Sequence, residues 1–138
     1  MKRILRIGIC LVMIFALVGS SVAYAQTESN AYISSFTGAV SVANDGTVTV
    51  NFGTHGTGCM DKIGASAISI YENGQFRMTY YAANPLYTAT MMGTNDYDFY
   101  GYVTYAGTKG NTYRAYITHY AELDGGSGTE SMWTSSVT

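Results

Sequence analysis

The chain is expected to be all-β, and three observations support this. After residue 25 it holds twelve tyrosines, many threonines and valines, 14 glycines and a single proline, Pro85, a composition suited to short strands joined by turns. Several segments alternate apolar and polar residues, which is the period of a strand with one buried face. No stretch of that region places apolar residues at helical spacing over three turns.

The first element is a leader. Lys2, Arg3 and Arg6 precede an apolar run from Ile7 to Val18, and Ala23-Tyr24-Ala25 stands before Gln26. Basic start, short apolar core and small-x-small ending are the order of a secretory signal peptide, with cleavage expected after Ala25. The run is shorter than the roughly 20 apolar residues that a membrane crossing needs, and Cys10 lies inside it instead of following it, so no lipid or membrane anchor is expected. Residues 1–25 are thus read as the signal peptide and 26–138 as a single secreted, extracellular domain.

The strands follow by alternation. Tyr32 to Val42 carries Phe36, Val40 and Val42 and ends at the turn Asn44-Asp45-Gly46. Thr47 to Phe52 alternates most cleanly, with Val48, Val50 and Phe52 inward. Gly53 to Gly58 reads as a glycine-rich loop, and Ile63 to Tyr71 as the next strand. Asn73-Gly74 is a strong hairpin signal, since both central residues of a type I′ turn need positive φ, and Phe76 to Tyr81 is the returning strand. Past Asn84-Pro85 comes an aromatic strand, Tyr97 to Tyr105, then a turn over 106–111. Thr112 to Leu123 places Tyr113, Ala115, Ile117 and His119 on one face and Arg114, Tyr116, Thr118 and Tyr120 on the other. A loop over 124–129 leads to a last strand, Ser131 to Val137. Seven strands with frequent turns predict a single two-sheet β-sandwich, with a small β-barrel as the alternative.

The segment Thr112-Tyr113-Arg114-Ala115-Tyr116-Ile117-Thr118-His119-Tyr120-Ala121, with the Gly/Ser-rich loop and Thr134-Ser135-Ser136-Val137-Thr138 after it, resembles the last two strands of an immunoglobulin-like or fibronectin type III-like domain. Over most of residues 31–138 the chain also resembles a group of small secreted bacterial β-sandwich proteins of unknown function, which share this ending and a middle stretch like Lys62 to Glu72. The resemblance implies a structural role for Tyr113, as a tyrosine corner whose hydroxyl bonds to upstream backbone. The only tryptophan, Trp133, stands near the end and not on the second strand, where fibronectin-type domains usually hold one.

Composition narrows function by exclusion. After residue 25, four cations (Lys62, Arg77, Lys109 and Arg114) face nine acids, a formal charge of −5. That sign is wrong for electrostatic binding of nucleic acid or anionic lipid. One cysteine, Cys59, remains, so no internal disulfide is expected. His55, Cys59 and Asp61 share a loop, but no paired histidine or cysteine motif accompanies them, and the acids of 95–98 and 124–130 lack calcium-loop spacing. No cofactor and no metal are expected. Nucleophile-elbow, Ser-x-x-Lys and phosphate-loop motifs do not occur, and the protein is expected not to be an enzyme.

Tyrosines remain as the functional signal. Tyr100 and Tyr102 alternate with Phe99, Gly101 and Val103, and Tyr116 and Tyr120 with Ile117 and His119. The four are the candidate binding residues, because exposed tyrosines offer rigid amphipathic surface at low entropic cost. The expected function is a secreted, monomeric, non-catalytic module that binds a cell-wall polymer, glycan or protein. A secreted antimicrobial or toxin-like effector is the alternative.

Overall fold

Seven antiparallel strands form one curled sheet: β1 (Tyr24–Gln26), β2 (Ile33–Val42), β3 (Thr47–Glu72), β4 (Gln75–Tyr81), β5 (Met92–Ala106), β6 (Tyr113–Leu123) and β7 (Gly126–Trp133), with one helical turn, α1 (Thr88–Met91), before β5. The computed structural model describes residues 24–26 and 30–138. The expected signal peptide lies outside the described residues except for Tyr24 and Ala25. With Gln26 these two pair against Gly38, Thr37 and Phe36, so the expected cleavage junction falls within β1.

The 26 residues of β3 organise the sheet by serving two sets of neighbours. From Thr47 to His55 it pairs with β2 on one edge and with the second half of β5 on the other. From Lys62 to Glu72 it pairs with β6 on one edge, and on the other first with the start of β5 and then with β4. The β5 register breaks between His55 and Met60, and there the sheet turns. Gly53–Gly58, expected as a loop, is therefore part of β3. Ladder hydrogen bonds to neighbouring strands override the low intrinsic strand preference of glycine.

The curl brings the inward faces together. Val48, Val50 and Phe52 of β3, Phe36 and Val40 of β2 and Val103 of β5 are buried against Ile63, Ile68 and Ile70 of β3, Ala115, Ile117 and Ala121 of β6 and Met132 of β7. The Phe36 and His119 rings lie 4.9 Å apart across this core. A Cβ at Gly38 would run into Ile117, so β2 sits directly over β6. Each fully buried isoleucine of this set contributes about 1.5–3 kcal/mol.

Two boundaries differ from expectation. Asp124 and Gly125 both adopt positive φ, 51° and 78°, and close a two-residue hairpin with Leu123 opposite Gly126. β7 thus starts at Gly126 and ends at Trp133, and Val137 returns separately to bridge Tyr113. After Pro85 the chain makes α1 and starts β5 at Met92, five residues before the expected strand. The Asn73–Gly74 hairpin forms as expected, with φ of 50° and 79°.

Candidate functional site

The four candidate tyrosines do not share a surface. Because the inward faces of the two halves of the sheet meet at Phe36, Phe52 and His119, their outward faces look in opposite directions. Tyr100 and Tyr102 stand on one of these faces, Tyr116 and Tyr120 on the other.

On the first face, β5 runs beside β3 with Asp98 opposite His55, Tyr100 opposite Gly53 and Tyr102 opposite Asn51. Directly paired residues of antiparallel strands point to the same side, so these six positions form one patch. Asp98 Oδ1 lies 2.8 Å from His55 Nδ1. A carboxylate only accepts, so Nδ1 carries the proton, and the Nε2 of the neutral ring is left to accept from the Tyr100 hydroxyl at 3.3 Å. The Tyr100 and His55 rings meet edge to face, centroids 5.4 Å apart.

Gly53 completes the arrangement. A Cβ there would stand 2.9 Å from Tyr100 Cε1 and 2.8 Å from Thr37 Oγ1, which means that the Tyr100 ring lies down on the bare glycine backbone toward β2. Its position is set by Gly53 below and His55 at its edge, yet Tyr100 remains 69% exposed and its neighbour Tyr102 49%. Carboxylate, imidazole and hydroxyl are hydrogen-bonded in the same order as in hydrolase relays. Here the hydroxyl is a tyrosine phenol 3.3 Å from Nε2, and the side chain that carries it stands largely in solvent.

The opposite face is knitted to itself. The Trp133 ring lies 4.9 Å from Tyr116 and 4.8 Å from Tyr71, and the Arg114 guanidinium sits 4.1 Å above Trp133. Tyr116 is thus one member of a mutually packed cluster. Tyr120 donates to Glu122 Oε2 at 2.6 Å. This bond, with partial burial second, raises its pKa. It also lines a groove of about 470 Å³ with Lys62, Ser66, Ala82, Met92 and Thr94.

Tyr113 is fully buried. Its hydroxyl donates to Glu72 Oε1 at 2.8 Å and accepts the backbone N–H of Thr108, five residues upstream, at 2.6 Å. Glu72 also takes the Asn111 amide at 2.8 Å and Arg77 Nε at 2.9 Å. The bonds from Asn111 and Tyr113 and the charge of Arg77 hold the Glu72 carboxyl below its usual range, while burial pushes the Tyr113 phenol up. These contacts tie the β3–β4 hairpin to the start of β6.

His55, Gly53 and Asp98 were not among the candidate residues. Continuing the alternation of Thr47 to Phe52 by three residues would have placed His55 outward with Thr47, Thr49 and Asn51. Asp61, considered with His55 and Cys59, instead accepts the backbone N–H of Asp124 through Oδ2 at 3.0 Å. Among the described residues, no three His, Cys, Asp or Glu side chains gather as a metal-holding group. Comparisons of the chain with family models, curated proteins and solved structures returned no match.

Proposed function

We propose that the protein is a secreted, non-catalytic recognition module whose binding face is the Tyr100–Tyr102 patch of β5. The observation behind this reading is a ring that is both positioned and exposed. An aromatic side chain serving only the fold gains by burying its faces, whereas Tyr100 is laid on Gly53 and held by His55 with most of its surface left in water. Such pre-set aromatic surface binds with little loss of conformational entropy. The basic, apolar, small-x-small order of residues 1–25 supports export. The meeting of β2 with β6 and β7 across one core, with the Tyr113 hydroxyl on Thr108 backbone, supports reading the curled sheet as a two-layer sandwich of the immunoglobulin-like kind.

The test is retention of the purified protein on cell walls, insoluble polysaccharides and intact cells. Tyr100→Ala and Tyr102→Ala should each weaken retention about 3–10-fold, the worth of an aromatic contact, with unchanged melting. Tyr116→Ala, on the opposite face, should retain wild-type binding. Equal retention of all three variants would leave the patch without a recognition role.

A further inference from the structure

The two outward faces differ in what surrounds their aromatic residues. Around Trp133 the neighbours are Tyr71, Tyr116 and Arg114, stacked on one another. Around Tyr100 and Tyr102 they are hydroxyl and amide groups. Thr37 and Asn51 share the patch directly, and Thr49 stands opposite Thr104 one step further along. Among the described residues, the formal charges there belong to Asp98 and, when protonated, His55.

Resting on the reading of this patch as a recognition surface, we infer that its ligand is a neutral, hydroxyl-rich polysaccharide chain lying along β5 across Tyr100 and Tyr102. A sugar ring presents an apolar C–H face within a rim of hydroxyls, and each part has a counterpart here. The exposed face of Tyr100 takes the C–H face. Among the described residues the Asp98 carboxylate is hydrogen-bonded to His55 alone, through Oδ1, which leaves Oδ2 to accept from ligand hydroxyls, a charge-assisted bond about twice as strong as a neutral one. The Asn51 amide, exposed beside Tyr102, both donates and accepts. Tyr100 and Tyr102 are two residues apart on one strand, roughly 7 Å along it, so a chain following β5 meets both rings.

The same inventory argues against other ligands. None of the four cations after residue 25 (Lys62, Arg77, Lys109, Arg114) lies on these outward positions of β2, β3 and β5. An anionic polymer would meet the Asp98 carboxylate with no lysine or arginine beside it and only the His55 imidazole against it. Protein-binding hot spots are enriched in Trp, Tyr and Arg in desolvated pockets, and Trp and Arg stand on the opposite face. The Tyr100 patch is open, and its neighbours are threonine and asparagine.

The experiment is affinity electrophoresis of the full protein, and of Tyr100→Ala, Tyr102→Ala and Asp98→Asn, through gels holding either neutral polymers (xyloglucan, mixed-linkage glucan, xylan) or anionic ones (polygalacturonate, hyaluronan). The wild type should be retarded by at least one neutral polymer at tenfold lower concentration than by either anionic one. Each tyrosine substitution should weaken that retardation about 3–10-fold, and Asp98→Asn should weaken it about tenfold, with melting unchanged. Tyrosine-dependent retardation that is equal or stronger on the anionic polymers would overturn the neutral assignment and leave the recognition face standing. So would tyrosine-dependent retention by intact cells with no retardation on any polymer, which would point to a protein ligand. Retardation indifferent to both tyrosine substitutions would overturn face and ligand together.

Discussion

Acid should unfold this protein through one buried imidazole, His119. It is fully buried on the inner face of β6. Its Nδ1 lies 2.7 Å from Thr54 Oγ1, and the single proton of that hydroxyl goes to the Gly64 carbonyl at 2.9 Å. Nδ1 is therefore the donor to Thr54. Nε2 holds a bare lone pair, buried with no hydrogen-bond partner among the described residues, in a core where the Phe36 and Phe52 rings lie against the imidazole. Protonation would create a cation and an unsatisfied N–H there. Burial, with repulsion from His55 as a smaller cause, lowers the pKa from 6.5 to about 3. The unfolded chain takes up that proton near pH 6.5 and the folded chain refuses it until about 3, so the stabilisation is complete above pH 6.5 and is lost as pH falls toward 3. At about 1.4 kcal/mol per pH unit, it amounts to about 3 kcal/mol lost by pH 4.5 and about 5 kcal/mol by pH 3. Domains of this size are stable by only about 5–15 kcal/mol.

The assay is urea unfolding of the wild type and His119→Phe at pH 7.5, 6.0 and 4.5. The substitution keeps a planar ring and leaves Thr54 donating to Gly64, but it removes the Nδ1–H donor to Thr54, so its cost at pH 7.5 is repacking plus one buried hydrogen bond, about 2–4 kcal/mol. Glu72 and the other carboxylates titrate in both proteins and cancel in the difference. The wild type should lose about 3 kcal/mol more than the variant between pH 7.5 and 4.5. Equal losses would refute the reasoning, because they would mean that Nε2 has a partner or that the ring is hydrated.

Tyr113→Phe removes the donor to Glu72 and the acceptor for Thr108 and should cost about 1–3 kcal/mol; an unchanged midpoint in thermal unfolding would deny the hydroxyl its place in the fold. Gly53→Ala puts a methyl group where the Tyr100 ring and Thr37 hydroxyl lie, and should weaken polymer retardation about tenfold while melting stays near wild type; retained binding would mean that the ring position is immaterial. Gly74→Ala meets no atom within 4 Å but forces a φ of +79° on a residue with a Cβ, and should cost about 1 kcal/mol in denaturant unfolding.

Strand by strand, facing was legible along the chain. The inner set Tyr113, Ala115, Ile117 and His119 is buried, and Tyr100 and Tyr102 point outward opposite Gly101 and Val103, because side-chain alternation is a local property of an extended backbone. Asn73–Gly74 announced its hairpin for the same local reason. Asp124–Gly125 carries an equally local hairpin signal, the same acceptance of positive φ at both central residues.

Pairing is not local. Whether Gly53 to His55 leaves the sheet or continues β3 depends on β2 and β5 offering backbone partners on both edges, and glycines and a histidine in a row cannot announce that. The same pairing brings His55 to Asp98 and Tyr100, residues more than forty positions away. The curl of β3 about its register break then places Tyr100 with Tyr102 on one side of the molecule and Tyr116 with Tyr120 on the other. Alternation assigns each tyrosine an inside and an outside relative to its own strand; only the burial of Phe36, Phe52 and His119 against one another decides which outsides look the same way.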